Sequence, residues 1–147
     1  MNIRPAVTDD LEAITDCARQ AYQRYVSRIG REPAPMVADF AAQIDQGWVY
    51  VATECAEIAG YVVFYPRGDH LHLENVAILP DRQGQGHGAG LIDFVEKTAR
   101  KGGYAAVELY TNEKMTENLS YYPRRGYREL GRGSEDGFNR VFYRKEL

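Results

Sequence analysis

The chain has 147 residues, 44% of them hydrophobic and 27% charged, with a formal net charge of −3, an ordinary composition for one soluble globular domain. That charge gives no electrostatic reason to expect a nucleic acid or an anionic membrane as partner. No apolar run has the length of a bilayer span and no signal-peptide core is read at the N-terminus. The two cysteines, Cys17 and Cys55, suggest no disulfide framework, so a cytoplasmic protein is expected.

In chain order, Asn2 to Val7 reads as a strand. Thr8-Asp9-Asp10 follows, offering Thr8 or Asp9 as N-cap and acids for a first helical turn. Leu11, Ile14, Ala18, Ala21, Tyr22, Tyr25 and Val26 form one helical face to about Ser27, and Gly30 ends it. Cys17 falls on this stripe and is read as a small buried hydrophobe rather than a nucleophile. Two prolines stiffen the connector Arg31 to Pro35. Met36 to Gln46 is expected to be a second helix, with Met36, Val37, Phe40, Ala41 and Ile44 inward and Gly47 as its cap. Trp48 to Thr53 and Ile58 to Tyr65 read as a hairpin turning near Glu54-Cys55-Ala56-Glu57.

The most informative stretch runs from Leu71 to Gly102. Leu71 to Leu79 is a short apolar run, read as a strand closed by Pro80. Gly84, Gly86, Gly88 and Gly90 then alternate with other residues, and Leu91, Ile92, Val95 and Ala99 recur at helical spacing up to a stop at Gly102-Gly103. Strand, glycine-rich turn and helix together can aim free backbone N–H groups at one point, at the positive end of the helix dipole, which suits a phosphate or pyrophosphate. Beyond it, Ala105 to Thr111 reads as a strand and Thr116 to Arg125 as a short helix. Tyr127 to Leu130 begins a further strand, Gly131, Gly133 and Gly137 mark a mobile hairpin, and Val141 to Arg144 closes the sheet. The order β-α-α-β-β-β-α-β-α-β-β implies one domain over residues 1–147, of class α/β, with a mixed sheet and helices on both faces.

Two familiar phosphate patterns fit poorly. No Lys-Ser/Thr pair follows the glycines, so the Walker loop is absent. A dinucleotide fingerprint through Gly84, Gly86 and Ala89, with Glu108 as the ribose acid, is spoiled by the segment Asp81 to Gln85 between strand and turn. A third pattern does fit. Gln83-x-x-Gly86-x-Gly88 after Val76-Ala77-Ile78, followed later by Glu117-Asn118 and Tyr122-Pro-Arg-Arg-Gly126-Tyr127, resembles the acetyl-CoA signature and the later Asn/Tyr element of the GNAT N-acetyltransferase superfamily.

The resemblance implies a GNAT-like mixed, mostly antiparallel sheet with a splayed central strand pair, and acetyl-CoA as co-substrate with no metal. Main-chain groups of Val76, Ala77 and Ile78 would pair with the pantetheine arm as an added strand does. Gln83, Gly84, Gln85, Gly86, His87, Gly88 and Ala89 would form the pyrophosphate turn, and Asn118 would hydrogen-bond the arm. Tyr122 matches the family's acid, a phenol protonated at neutral pH that can give its proton to the leaving thiolate; Tyr121 is the fallback. For the base, alternation puts His70, His72, Glu74 and Val76 on one strand face. Family members carry Glu or His there, often acting through a water, and Glu74 is favoured with His72 beside it.

Zinc on His70-x-His72-x-Glu74 is not favoured, since no remote fourth ligand is in sight. His87 is placed either near a phosphate or facing solvent. The acceptor is an amine of unidentified class, bound by the loops Arg28 to Met36 and Arg132 to Asn139, with Glu32, Asp39, Glu135 and Asp136 as acids and Tyr22, Tyr25 and Tyr65 as walls. Direct transfer in a ternary complex is expected, because no Cys or Ser sits in a nucleophile motif. A non-catalytic acyl-CoA-binding or regulatory module on the same fold is the alternative. An edge strand near the C-terminus leaves a homodimer open.

Overall fold

A computed structural model describes residues 1–147. Seven strands form one sheet in the order β1-β2-β3-β4-β5-β7-β6. These are β1 (Asn2–Pro5), β2 (Val49–Glu54), β3 (Glu57–Arg67), β4 (His70–Ile78), β5 (Ala106–Asn112), β6 (Arg128–Glu135) and β7 (Phe138–Glu146). The helices are α1 (Leu11–Tyr22), α2 (Val26–Ile29), α3 (Phe40–Asp45), α4 (His87–Lys101) and α5 (Thr116–Arg124). The ladders of β1 with β2, β2 with β3, β5 with β7 and β6 with β7 are antiparallel, and that of β4 with β5 is parallel. The parallel ladder runs only from His70↔Ala106 to Leu73↔Leu109, whereas β5 continues its pairing with β7 to Asn112. The class and the early parting of the central pair match the sequence expectation, whereas the first helix, expected to run unbroken to about Ser27, is divided into α1 and α2 by a 3₁₀ turn over Gln23–Tyr25. None of the helices is long and apolar enough to cross a membrane.

The chain divides into two compact units, Met1–Phe64 with Asn75–Phe94, and Tyr65–Glu74 with Val95–Leu147. In the first unit, β1, β2 and β3 form an antiparallel meander with a core of Ile14, Cys17, Ala18, Phe40, Val49, Val51, Tyr61, Val63 and Ala77. Phe40 meets the Tyr61 ring edge-on at 5.3 Å, an arrangement that suits the aromatic quadrupoles. Gly60 is required by space: a Cβ built on it would lie 2.5 Å from the carbonyl oxygen of Ala77. The β2–β3 turn places both Cys55 and Ala56 at positive φ, 52° and 65°, the twist a two-residue hairpin needs.

The second predicted helix is shorter than its apolar spacing suggested. A 3₁₀ turn covers Ala34–Val37, Ala38 is extended, and α3 starts only at Phe40, with the Asp39 carboxylate capping the N–H of Ala42 at 3.1 Å. Val37, expected inward, is 65% exposed. The Asx cap offers the backbone a local alternative to one continuous helix.

In the second unit β7 is the central strand, paired on one side with β5 and on the other with β6. The segment predicted as a mobile hairpin is instead paired strand: β6 extends through Gly131 and Gly133 to Glu135, with a register shift between Glu129 and Gly131, and the turn is confined to Asp136 and Gly137. The ladder with β7 supports glycines that local propensity disfavours. Beneath it, Tyr122, Tyr127 and Tyr143 pack with ring centres 5.7 and 5.9 Å from Tyr122.

Candidate active site

The glycine turn is built within the first unit. After β4, the N–H of Leu79 donates to the carbonyl of Ala59 at 2.8 Å, and a 3₁₀ turn over Pro80–Arg82 redirects the chain. Gln83 folds back, its Nε2 donating to the Ile78 carbonyl at 3.1 Å, so the motif's glutamine pins the turn to the strand end. Arg82 ties the same segment to the β2–β3 hairpin through Glu54 at 2.9 Å and Glu57 at 2.6 Å.

Gly84 and Gly86 have φ of 78° and 87°, and a Cβ on either would meet nothing within 4 Å. Backbone conformation, not room, therefore demands glycine at both. Gly90 N–H to Gly86 carbonyl, 2.9 Å, closes the first turn of α4. The N–H groups from Gln85 to Ala89 find no acceptor within the chain. Free N–H groups at the start of a long helix, beside two left-handed glycines, make a cradle for an anion. His87 does not face solvent: it is 4% exposed, with Nδ1 3.0 Å from Met1 Sδ and Nε2 3.4 Å from Glu54 and without a hydrogen bond.

Other residues of the first unit have structural partners. Tyr22, expected as an acceptor wall, has its hydroxyl 3.0 Å from Asn75 Oδ1 and 2.9 Å from the carbonyl of Val76. Burial pushes the Cys17 thiol up to about 12, with help from the nearby Asp16 charge. It stays a thiol at neutral pH, as its core reading implied.

The second unit gathers the proton-transfer candidates. His72 and Glu74 share one face of β4, and His72 Nε2 lies 2.7 Å from Glu74 Oε2. From β5, Tyr110 donates its hydroxyl proton to Glu74 Oε1 at 2.8 Å; from β3, Tyr65 donates to Oε2 at 3.4 Å. Burial works to raise the Glu74 pKa, but the hydrogen bonds from His72 and Tyr110 and the charges of His72 and Arg140 outweigh it and hold the carboxyl below its usual range. Burial, and then the Glu74 charge, push the Tyr110 phenol up, so it keeps its proton and acts as donor. Arg140, 6% exposed, sits with its guanidinium carbon 4.1 Å from the centre of the Tyr110 ring and pairs with Glu135 at 3.1 Å. His70 turns elsewhere, to Asp69 at 3.0 Å and Glu108 at 3.5 Å.

Tyr122 is 6% exposed on α5, against Tyr121, Tyr127 and Tyr143. Asn118 uses its amide nitrogen on the Thr111 hydroxyl, 3.0 Å away. Two of the acids expected at the acceptor are committed within the protein, Asp39 as a helix cap and Glu135 to Arg140. Tyr110 and Arg140 are not among the residues that sequence pattern singles out. Tyr110 stands at the alternate position after Glu108, a signal of a shared face, but its partner depends on strand register. Arg140 follows directly on the glycine-rich segment expected to be a mobile hairpin.

The chain thus holds a strand, an N–H cradle opening a helix, and a Glu-His-Tyr group. The model of the acetyltransferase (GNAT) family matches residues 11–127, and the chain belongs to that family. Among curated proteins no sequence matches significantly. Solved structures share the fold. The PaiA N-acetyltransferase of Thermoplasma acidophilum, in complex with coenzyme A, aligns with a TM-score of 0.84 at 16% identity over 99% of this chain and 98% of that one. The ribosomal-protein-S18-alanine N-acetyltransferase of Escherichia coli gives 0.78 at 21% identity, over 99% and 93%. Ard1 of Thermoplasma volcanium gives 0.78 at 15%, over 99% and 97%.

Proposed function

We propose that this acetyltransferase moves the acetyl group of acetyl-CoA directly to an amine in a ternary complex. The observation that carries the reading is the turn from Gln83 to Ala89, where a family motif, two left-handed glycines and unused N–H groups coincide at the start of α4. The N–H groups of Gln85 to Ala89 take the pyrophosphate. Main-chain groups of Val76, Ala77 and Ile78 pair with the pantetheine arm, and Asn118, whose amide nitrogen is engaged, offers its carbonyl oxygen to it. The family match covers parts of both compact units, which supports reading residues 1–147 as one acetyltransferase domain.

An alkyl ammonium, pKa near ~10, must lose a proton before its nitrogen can attack. The Glu74–His72 pair takes that proton and passes it to solvent. The amine lone pair then attacks the thioester carbon, the C–S bond breaks, and the second nitrogen proton replaces the one Tyr122 gives to the thiolate. The products are the amide, CoA thiol and one released proton. The Escherichia coli relative carries a ribosomal-protein alanine in its name, so an alanine-ended peptide belongs among the amines to be tried.

The test is release of free thiol from acetyl-CoA across polyamines, amino acids, aryl amines, aminoglycosides and peptide N-termini, beside a calorimetric acetyl-CoA titration. Turnover of one class is expected. Tight binding with no turnover of any class would replace the enzyme by a binding module. Gly86→Asp, which puts a charge and a strained φ into the cradle, is expected to abolish acetyl-CoA binding. Unchanged affinity in that variant would sink the cradle assignment.

A further inference from the structure

We infer that Tyr110, braced by Arg140, is a positioning residue that commits Glu74 to orienting His72, and so makes His72 rather than Glu74 the base of the proposed acetyl transfer. This rests on the acetyltransferase reading above and decides a role that the sequence left to either residue.

The hydrogen bonds carry the assignment. A carboxylate accepts only, and each oxygen of Glu74 is anchored by a donor, Oε1 by the Tyr110 hydroxyl at 2.8 Å and Oε2 by His72 Nε2 at 2.7 Å with Tyr65 at 3.4 Å. His72 must therefore donate its Nε2–H to Glu74. In the neutral ring the lone pair then lies on Nδ1, which has no partner within the chain and is not among the buried atoms that lack one. It is thus the one nitrogen of the pair open to a substrate proton. A carboxylate that fixes the tautomer of an imidazole and stabilises the imidazolium formed on proton uptake is a recurrent catalytic arrangement. Glu74 itself is a poor proton acceptor, since its pKa is held down.

Tyr110 makes the commitment stick. Carboxylate torsions are broad, so a single bond to His72 would leave Glu74 free to swivel. The Tyr110 hydroxyl anchors the other oxygen, and the Tyr110 ring is clamped in turn by the Arg140 guanidinium at 4.1 Å. The groups facing the pair are Tyr65 from β3, Tyr110 from β5 and Arg140 from β7, with Glu135 of β6 as the counter-ion of Arg140.

The chain has three histidines, so ¹⁵N-histidine NMR of the free protein can assign His72 with His70→Gln and His87→Gln as references. The neutral His72 ring is expected as the Nε2–H tautomer in the parent protein and as a mixture in Tyr110→Phe. A parent Nδ1–H tautomer, or one unmoved by Tyr110→Phe, overturns the inference. In the kinetic arm, the acid limb of kcat/KM is expected to vanish in His72→Asn, and to persist in Glu74→Gln, displaced to lower pH. A limb that survives His72→Asn and vanishes in Glu74→Gln overturns it as well. Tyr110→Phe is expected to lower kcat about 10-fold with acetyl-CoA affinity unchanged. A protein showing the tautomer pattern but acetylating no amine fails the acetyltransferase reading; one that acetylates with its limb intact in His72→Asn fails this inference alone.

Discussion

Two carboxylates of the second unit look alike in their bonding and differ in what they do. Glu96 of α4 accepts from Tyr127 Oη and from Lys145 Nζ, each at 2.9 Å, and its side chain is 4% exposed. Glu74 of β4 accepts from Tyr110 and His72 at similar distances, and its side chain is 27% exposed. The cation decides. Lysine holds its charge across the neutral range, so the Glu96 pair is fixed and bolts α4 to β7. An imidazole can take up or release a proton at a ring nitrogen where an ammonium cannot accept one, and the Glu74 carboxylate beside it is partly open to solvent. A tyrosine beside a carboxylate thus belongs to a structural pair in one place and to the proposed proton-handling group in the other.

Removing Glu96 is the largest change expected. Glu96→Ala leaves Lys145 unpaired beside a buried tyrosine hydroxyl with no acceptor, and breaking a buried pair on one side costs about 3–5 kcal/mol. Urea unfolding would read it. A loss under ~1 kcal/mol would mean the pair is no bolt, and the contrast with Glu74 would collapse. The reciprocal variant, Glu74→Gln, is expected to change stability by less than ~1 kcal/mol, because its group is partly solvated and the amide oxygen still accepts from Tyr110. Its turnover is expected to fall on the order of 10²-fold, as His72 loses the carboxylate that orients it. Normal turnover would remove Glu74 from the mechanism.

The surroundings of Glu74 and Glu96 are less legible in the sequence than the glycine turn, and the reason is the range of the interactions. The turn's chemistry is local: Gln83, Gly84 and Gly86 act through their own backbone and the carbonyl of Ile78 five positions back. Period-2 alternation is equally local, and it alone puts His72 and Glu74 on one strand face. Tyr110 and Arg140 reach Glu74 only through the register of β4 on β5 and of β5 on β7, which no short pattern encodes. The same holds for Glu96, whose helical position is legible but whose partners on β7 and at Tyr127 are not. Where local structure departs from expectation the causes are near at hand: Asp39 as a cap splits the second helix, and a glycine-rich strand draws its order from its neighbour.

The smallest effect expected is in the acid limb of stability. The folded Glu74 pKa lies below its ordinary value, near ~4.3 in an unfolded chain. A carboxyl depressed on folding contributes stability that is fully present above the unfolded pKa and is lost as pH falls through the folded one. The contribution of Glu74 should therefore be complete at neutral pH and decline only below about pH 5, through the unfolded value and on to the lower folded one. Asp10 behaves alike in the first unit: its hydrogen bonds to Arg4, at 2.8 and 3.0 Å, lower its pKa against the opposing effect of burial. Unfolding midpoints between pH 7 and pH 3 should thus fall less steeply in Glu74→Gln than in the parent, with the curves parallel above pH 5. Asp10→Asn should flatten the same range through the loss of its own titration. Divergence of the Glu74→Gln curve from the parent above pH 6 would place the linked titration on His72 instead, and would tie the histidine's charge state to folding as well as to proton transfer.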